Sequence, residues 1–454
     1  MNALVLRDGE VDGRRADVVV VDGRVFRVRP DQRPDGPHEV LDIDGRAVLP
    51  GLHDHHLHLL AMAAAAGSLD LSPPAVAEEA VRRAAAAARP GQWVRATGFV
   101  PSMVDLGRER LDEWAGAVPV RVQDASGALW VLNTAALQAV TKAGVVLGDD
   151  ERERGWILRG DERLGGAWPE PDLLLGAVCA ELAAHGVTGL TDATPFTDPT
   201  GPARLAAGVA DGSIPQRVVI TGAPGLAIED DLVRGPAKVV IGDHDLPTLP
   251  DLVAAIDRAH GDHRPVAVHC VTAEALALLL AAWAEVGVHP GDRVEHGAVI
   301  PVSAIPALTD LGVTVVTQPG FVVDRGDRYL AEVDPVDRHD LWRCGTLLAG
   351  GVPVGGGTDA PYGPADPWRA MAAAVDRRTA AGVVLGPDDR IAPQRALDLF
   401  LGPPDAPGGP PRRVEPGAPA DLCVLDRPFA DALEDLADVR VTATIVAGRL
   451  IGPT

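Results

Sequence analysis

The stretch Val48-Leu49-Pro50-Gly51-Leu52-His53-Asp54-His55-His56-Leu57-His58 holds the densest chemistry in the chain. Side chains two apart on an extended strand point to the same face. His56 and His58 therefore bring two imidazoles to one point, and neutral imidazole suits zinc and other divalent transition metals. His53 and His55 fall on the opposite parity, or in the turn that Pro50 and Gly51 mark, and read as non-ligands. A polar surface loop would carry the same four histidines, so the pair needs partners elsewhere in the chain.

Lysine usage supplies a second candidate. Of 41 basic residues only Lys142 and Lys238 are lysine, and arginine supplies the rest. Lys142, in Val140-Thr141-Lys142-Ala143-Gly144, reads as a helix end, where a cation is ordinary. Lys238 enters the apolar run Pro236-Ala237-Lys238-Val239-Val240-Ile241. An ammonium there is costly unless it is paired, with Asp192 or Asp243 for example, or has lost its charge. A lysine kept where arginine is otherwise used points to amine chemistry.

The elements that must position these residues are short branched apolar runs ending in polar or glycine-containing turns. After the His-x-His run come 119–124, 186–192, 238–243, 265–269, 292–296, 313–318 and 352–359, which makes eight. His269, His296 and Asp359 stand at the ends of three of them. Ala- and Leu-rich stretches of helical period, such as Leu252 to His260 and Ala273 to Val286, lie between. Strands alternating with helices predict an α/β fold with a parallel sheet, and eight units predict a (β/α)8 TIM barrel. A doubly wound open sheet is the alternative. It would not gather polar strand ends on one face, as a barrel does.

The chain ends resemble each other instead. Residues 16–25 read as a strand, an Asp-Gly turn and a returning strand, and 420–425 with 443–449 read similarly. A Pro/Gly-rich connector precedes the tail. The expected organisation is a small composite β-sandwich from 1–49 and 412–454, a barrel over 50–402, and a linker over 403–411.

Composition narrows the class. With 46% hydrophobic residues over 454 positions, the chain can bury a large core. A net charge of −23 speaks against a nucleic-acid partner. The four cysteines, Cys179, Cys270, Cys344 and Cys423, show no Cys-x-x-Cys spacing, which fits a reducing cytoplasm. The start of the chain lacks a signal-peptide pattern, and the apolar run 59–66 is far short of a membrane span. A cytoplasmic protein with a small-molecule substrate and no membrane partner is expected.

The order Pro-Gly-x-x-Asp-x-His-x-His, a strand lysine, two strand-end histidines and Thr-Asp-Ala-Pro resembles the amidohydrolase superfamily, and within it the YtcJ-like group of the amidohydrolase-3 type. The resemblance runs nearly end to end. It implies that His56 and His58 bind the more buried of two divalent metal ions. It further implies that Lys238 is carboxylated by CO2 to bridge them, that His269 and His296 bind the second, and that Asp359 binds metal and moves protons. Zinc heads the candidates, with Mn, Fe, Co or Ni admitted by the same N/O ligation. Two ions sharing a water lower its pKa toward neutrality. Asp359 then delivers a proton to a leaving nitrogen. The implied activity is hydrolysis of an amide or cyclic amide C–N bond.

The chain departs from this pattern in Gln123-Asp124-Ala125-Ser126-Gly127-Ala128-Leu129-Trp130, where many relatives carry a histidine. Gln318, Tyr362 and Trp130 are pocket or packing residues. His38, His185, His244, His260, His263, His289 and His339 read as structural. The alternatives are a mononuclear deaminase, whose proton shuttle would have to be Glu274, an ester, lactone or phosphotriester hydrolase, and an inactive scaffold of the same fold.

Overall fold

Short runs, each with at least one Val, Ile or Leu, form eight parallel strands among the described residues, which in this computed structural model are 3–30, 37–101, 105–242 and 245–452. They are β1 (Leu52–Leu57), β2 (Val187–Asp192), β3 (Arg217–Ile220), β4 (Ala237–Val240), β5 (Val266–Cys270), β6 (Arg293–His296), β7 (Thr314–Thr317) and β8 (Val354–Gly356). One parallel sheet has the order Val233–Arg234, β3, β2, β1, and the other has the order β4, β5, β6, β7, β8. Gly235 and Pro236 separate Val233–Arg234 from β4. Proline has no N–H to give to a ladder, so a proline between strands breaks the pairing. Lys238 N still donates to Gly222 O at 2.9 Å. At the other edges, Asp359 N donates to His56 O and His58 N donates to Ala360 O, each at 2.8 Å.

Helices follow the strands as the alternation predicts. Leu249–Gly261 turns Leu252, Ile256 and Ala259 inward, and Ala273–Val286 buries Leu276, Leu279 and Trp283. Threonine starts both: Thr248 accepts from Asp251 N and Thr272 from Ala275 N. Each such cap is worth about 1 kcal/mol.

The chain divides into two compact units, one formed by residues up to Leu59 and from Cys179 onward, the other by Leu60–Val178. This corrects the reading of 119–124 as a barrel strand. Val120–Asp124 lies in the second unit, in a five-stranded mixed sheet, parallel to Val94–Phe99 and antiparallel to Leu129–Leu132. A branched apolar run specifies a strand but not its sheet, and the tight turn to Leu129–Leu132 claims this one. The strand missed in its place is β3, a four-residue run.

The chain ends form two four-stranded sheets, one of the order Arg24–Arg29, Arg14–Val21, Ala3–Val11, His38–Asp42, the other of the order Arg449–Gly452, Val441–Val446, Leu422–Leu425, Val48–Pro50. Asp22 and Gly23 both take positive φ, 49° and 74°, as the expected Asp-Gly hairpin turn requires. One apolar cluster joins both sheets through Leu6, Val18, Val20, Leu422, Val424 and Ile445. Each such side chain contributes about 1.5–3 kcal/mol on burial. The run Leu59–Ala66 is an eight-residue helix, and among the described residues no helix is long and apolar enough to cross a membrane.

Candidate metal centre

The residues expected to bind metal converge. One ligand atom each from His56, His296 and Asp359 lies within 4.8 Å of the others. His58 Nε2 lies 3.2 Å from Asp359 Oδ1 and His56 Nε2 3.5 Å from it. The His269 ring centroid is 4.5 Å from that of His296. Lys238 is buried, and its ammonium position is felt electrostatically by His56, Glu295 and His296. Among the described residues its Nζ has no hydrogen-bond partner. Asp192 instead accepts from Leu59 N and Thr194 N, while Asp243 and His244 lie outside the described residues.

Backbone geometry aims two of these groups. Strand alternation sends consecutive residues to opposite faces, yet Glu295 and His296 both serve the same site. His296 has φ 69° and Asp359 φ 56°, left-handed values that non-glycine residues rarely take, although Asp and His tolerate them best. The left-handed turn at His296 brings its imidazole back to the side where Glu295 points. Asp54 fastens the two loop ends together. Its carboxylate accepts from His56 N at 3.1 Å and from Thr358 N and Oγ1 at 3.1 and 2.6 Å. Burial pushes the Asp54 carboxyl up to about 7.

Gly357 lets this join close. A Cβ there would stand 2.6 Å from His56 Cβ and 2.8 Å from His56 N. Gly357→Ala is therefore expected to cost about 1–3 kcal/mol of overpacking, read as a lower urea midpoint. An unchanged midpoint would mean that the two strand ends are not held in contact.

Each of three imidazoles has its Nδ1 occupied. His56 Nδ1 donates to Glu295 in a short contact, and His296 Nδ1 donates to Gln318 Oε1 at 2.9 Å. His58 Nδ1 pairs with the Thr194 hydroxyl at 3.0 Å. A carboxylate or amide oxygen only accepts, so His56 and His296 carry their protons on Nδ1 and leave Nε2 as a lone pair. Burial, reinforced by Lys238, pulls His56 down to about 4, and burial with His269 and His56 lowers His296 well below the usual range. Burial also lowers Lys238. For Asp359 burial acts upward but His58, His56 and His296 outweigh it, so the carboxylate stays charged. For Glu295 burial is outweighed by Arg293, His56 and Lys238. Near neutral pH these are neutral imidazoles and anionic carboxylates, the states that bind metal.

The remaining histidines of the first strand are not surface residues. His53 and His55 are buried, and His53 Nε2 contacts Thr191 Oγ1 at 3.0 Å. Neither joins the cluster. Gln318 belongs to the site through His296, and the Tyr362 ring stands 5.3 Å from His58. Trp130 packs on Trp168 inside the second unit. Glu295 and Thr194 were not singled out from sequence, and Asp54 entered only as the Asp of the Pro-Gly-x-x-Asp-x-His-x-His pattern. The available signal was a carboxylate, Glu295, inside a run read as a barrel strand, where burial demands a partner.

The model of the amidohydrolase family matches residues 39–451. An N-substituted formamide deformylase of Arthrobacter pascens is 27% identical, over 97% of this chain and 94% of that protein. A metal-dependent hydrolase of Pyrococcus horikoshii superposes with a TM-score of 0.76 at 20% identity, covering 94% and 97% of the two chains. N-isopropylammelide isopropylaminohydrolase of Burkholderia multivorans superposes at 0.55 with 18% identity, covering 99% and 98%. The chain belongs to the amidohydrolase family and is an enzyme of that hydrolase class.

Proposed function

We propose that this enzyme is a metal-dependent hydrolase of a small-molecule amide C–N bond, with N-substituted formamides the first substrates to try. The carrying observation is the donor set. His56 Nε2, Lys238 Nζ and Asp359 Oδ1 are all buried without a hydrogen-bond partner among the described residues. Leaving a buried polar group unsatisfied costs about 1–3 kcal/mol; the imidazole nitrogen and the carboxylate oxygen fit a divalent cation directly, and the lysine fits one as a carbamate. His56, His58, His269, His296 and Asp359 would hold two ions, zinc first, with Lys238 between them. When bound, the ions would lower the pKa of water and polarise the scissile carbonyl.

The chain's own groups supply the rest. His56 and His296 present fixed Nε2 lone pairs. Lys238, whose burial favours the neutral amine, forms an N–C bond to CO2 and releases one proton, giving a carbamate with two ligand oxygens. Asp359 accepts the proton of the attacking water and returns it to the departing nitrogen. Glu274 is exposed, which leaves the deaminase reading without a buried proton carrier beside His269. The eight strands are read as a closed barrel on the hydrogen bonds that link His56 and His58 to Asp359 and Ala360. The terminal sheets, 1–49 and 412–454, are read as a sandwich on their common apolar cluster, with 50–402 as the barrel domain and 403–411 as the linker. Four free, buried cysteines support a reducing cytoplasm.

The test is chelation followed by reloading, assayed on N-substituted formamides, cyclic amides and esters in parallel. Amide hydrolysis should vanish on chelation and return with zinc or manganese. Activity that survives complete metal removal defeats the proposal, and turnover of esters alone moves it to the ester-hydrolase reading.

A further inference from the structure

Three imidazoles of the centre, those of His56, His58 and His296, have Nδ1 engaged by partners of unequal kind. Thr194 offers His58 a hydroxyl and Gln318 offers His296 a neutral amide oxygen. Glu295 offers His56 a carboxylate, from a strand on the other sheet, 239 residues along the chain. That carboxylate is itself held: Arg293 Nε donates to Glu295 Oε1 at 2.6 Å, two residues away on the same strand face. Both side chains are almost completely enclosed.

We propose that Glu295, held by Arg293, is a positioning residue that orients His56 and strengthens it as the anchoring metal ligand. The proposal rests on the metal-centre reading given above. An anionic acceptor on Nδ1 draws the ring proton away and raises the donor strength of Nε2, whereas a hydroxyl or an amide does so less. Glu295 is not itself a free ligand, since Oε1 is taken by Arg293 and Oε2 by His56.

Stability alone does not account for the arrangement. A buried Arg–Glu pair is often no more stabilising than apolar side chains of the same volume, because two charges lose their water. This pair is placed where its charge bears on one ring nitrogen. The opposite nitrogen of that ring is one of the buried atoms left without a hydrogen-bond partner among the described residues. His296, with its neutral acceptor, would be the more exchangeable ligand.

The test uses full-length metal-free protein, titrated with Zn2+ against a chromophoric chelator, and 15N-histidine NMR of the same samples. Glu295→Gln keeps the shape and an acceptor oxygen but removes the charge. It is expected to weaken zinc binding about 10–100-fold and to shift the low-field Nδ1 proton of His56, assigned by its loss in His56→Asn. Thr194→Val, which removes the uncharged hydroxyl partner of His58, is expected to change affinity less than Glu295→Gln does. Equal zinc affinity in Glu295→Gln and parent, within threefold, overturns the role of Glu295, as does an unmoved His56 proton. Should Glu295→Gln fail to fold, Glu295→Asp keeps the charge beside Arg293 but withdraws it from His56. A tenfold or greater loss of affinity is expected there, and none overturns the proposal. A parent that binds no divalent ion defeats the metal-centre reading itself, which is a distinct result.

Discussion

Asp359→Asn is expected to lower kcat by about 10²–10⁴-fold, the range for removing a positioned acid–base group. The substitution is well suited to isolate proton transfer. Asn adopts the left-handed backbone as readily as Asp, so the φ of 56° at this position is kept. The amide also retains an oxygen where Oδ1 now stands, 3.2 Å from His58 Nε2 and 3.5 Å from His56 Nε2. What it cannot do is accept a proton. The imidazoles that hold Asp359 charged make it a weak base before any ion binds. In the proposed mechanism it would act as a carrier, taking a proton from water already acidified and passing it to nitrogen. The measurement is kcat and KM on the best amide, with metal content determined on the same samples. A loss below tenfold at equal metal content would leave Asp359 a ligand only and require another proton carrier.

The parts legible in sequence are those set by local pattern. His-x-His on a strand, a lysine entering an apolar run and polar residues at strand ends all follow from the period of an extended chain and the cost of burying charge. The Asp22-Gly23 hairpin was legible for the same reason, since two positive φ values call for those residues. Pairing was not legible. Val120–Asp124 and Arg217–Ile220 are alike as apolar runs, and only their neighbours assign one to the mixed sheet and the other to the parallel one. Nor was Glu295, because alternation places it and His296 on opposite faces. The φ of 69° that reunites them depends on tertiary context. Asp54 and Thr358 both stand in legible motifs, but the bond between them stayed hidden because it spans 304 positions.

Lys238→Ala should reduce metal content from about two ions per chain to one or none, in protein produced with added metal and bicarbonate. The loss in kcat is expected to be about 10²–10⁴-fold, since metal-ion charge stabilisation is worth several kcal/mol and each 1.36 kcal/mol is tenfold. Two arrangements compete. His56, His296 and Asp359 lie close enough to hold a single ion without the lysine. In that case Lys238 would be a buried amine balanced by the charges of Glu295 and Asp359. Against this, its Nζ bonds neither carboxylate, and both oxygens of Glu295 are already engaged. An amine whose charge burial disfavours, with no hydrogen-bond partner among the described residues, is poised to take up CO2, and the carbamate would supply the two oxygens that a second ion needs. Lys238→Arg separates the cases further. A guanidinium keeps the positive charge but cannot form the carbamate, so it should fail as completely as alanine if the bridge is required. It should be tolerated far better if charge balance is the role. Two ions in the parent, loss in both variants and one added CO2 per parent chain by native mass spectrometry would establish the bridged pair. One ion in all three proteins would establish a single-metal centre built on His56, His296 and Asp359.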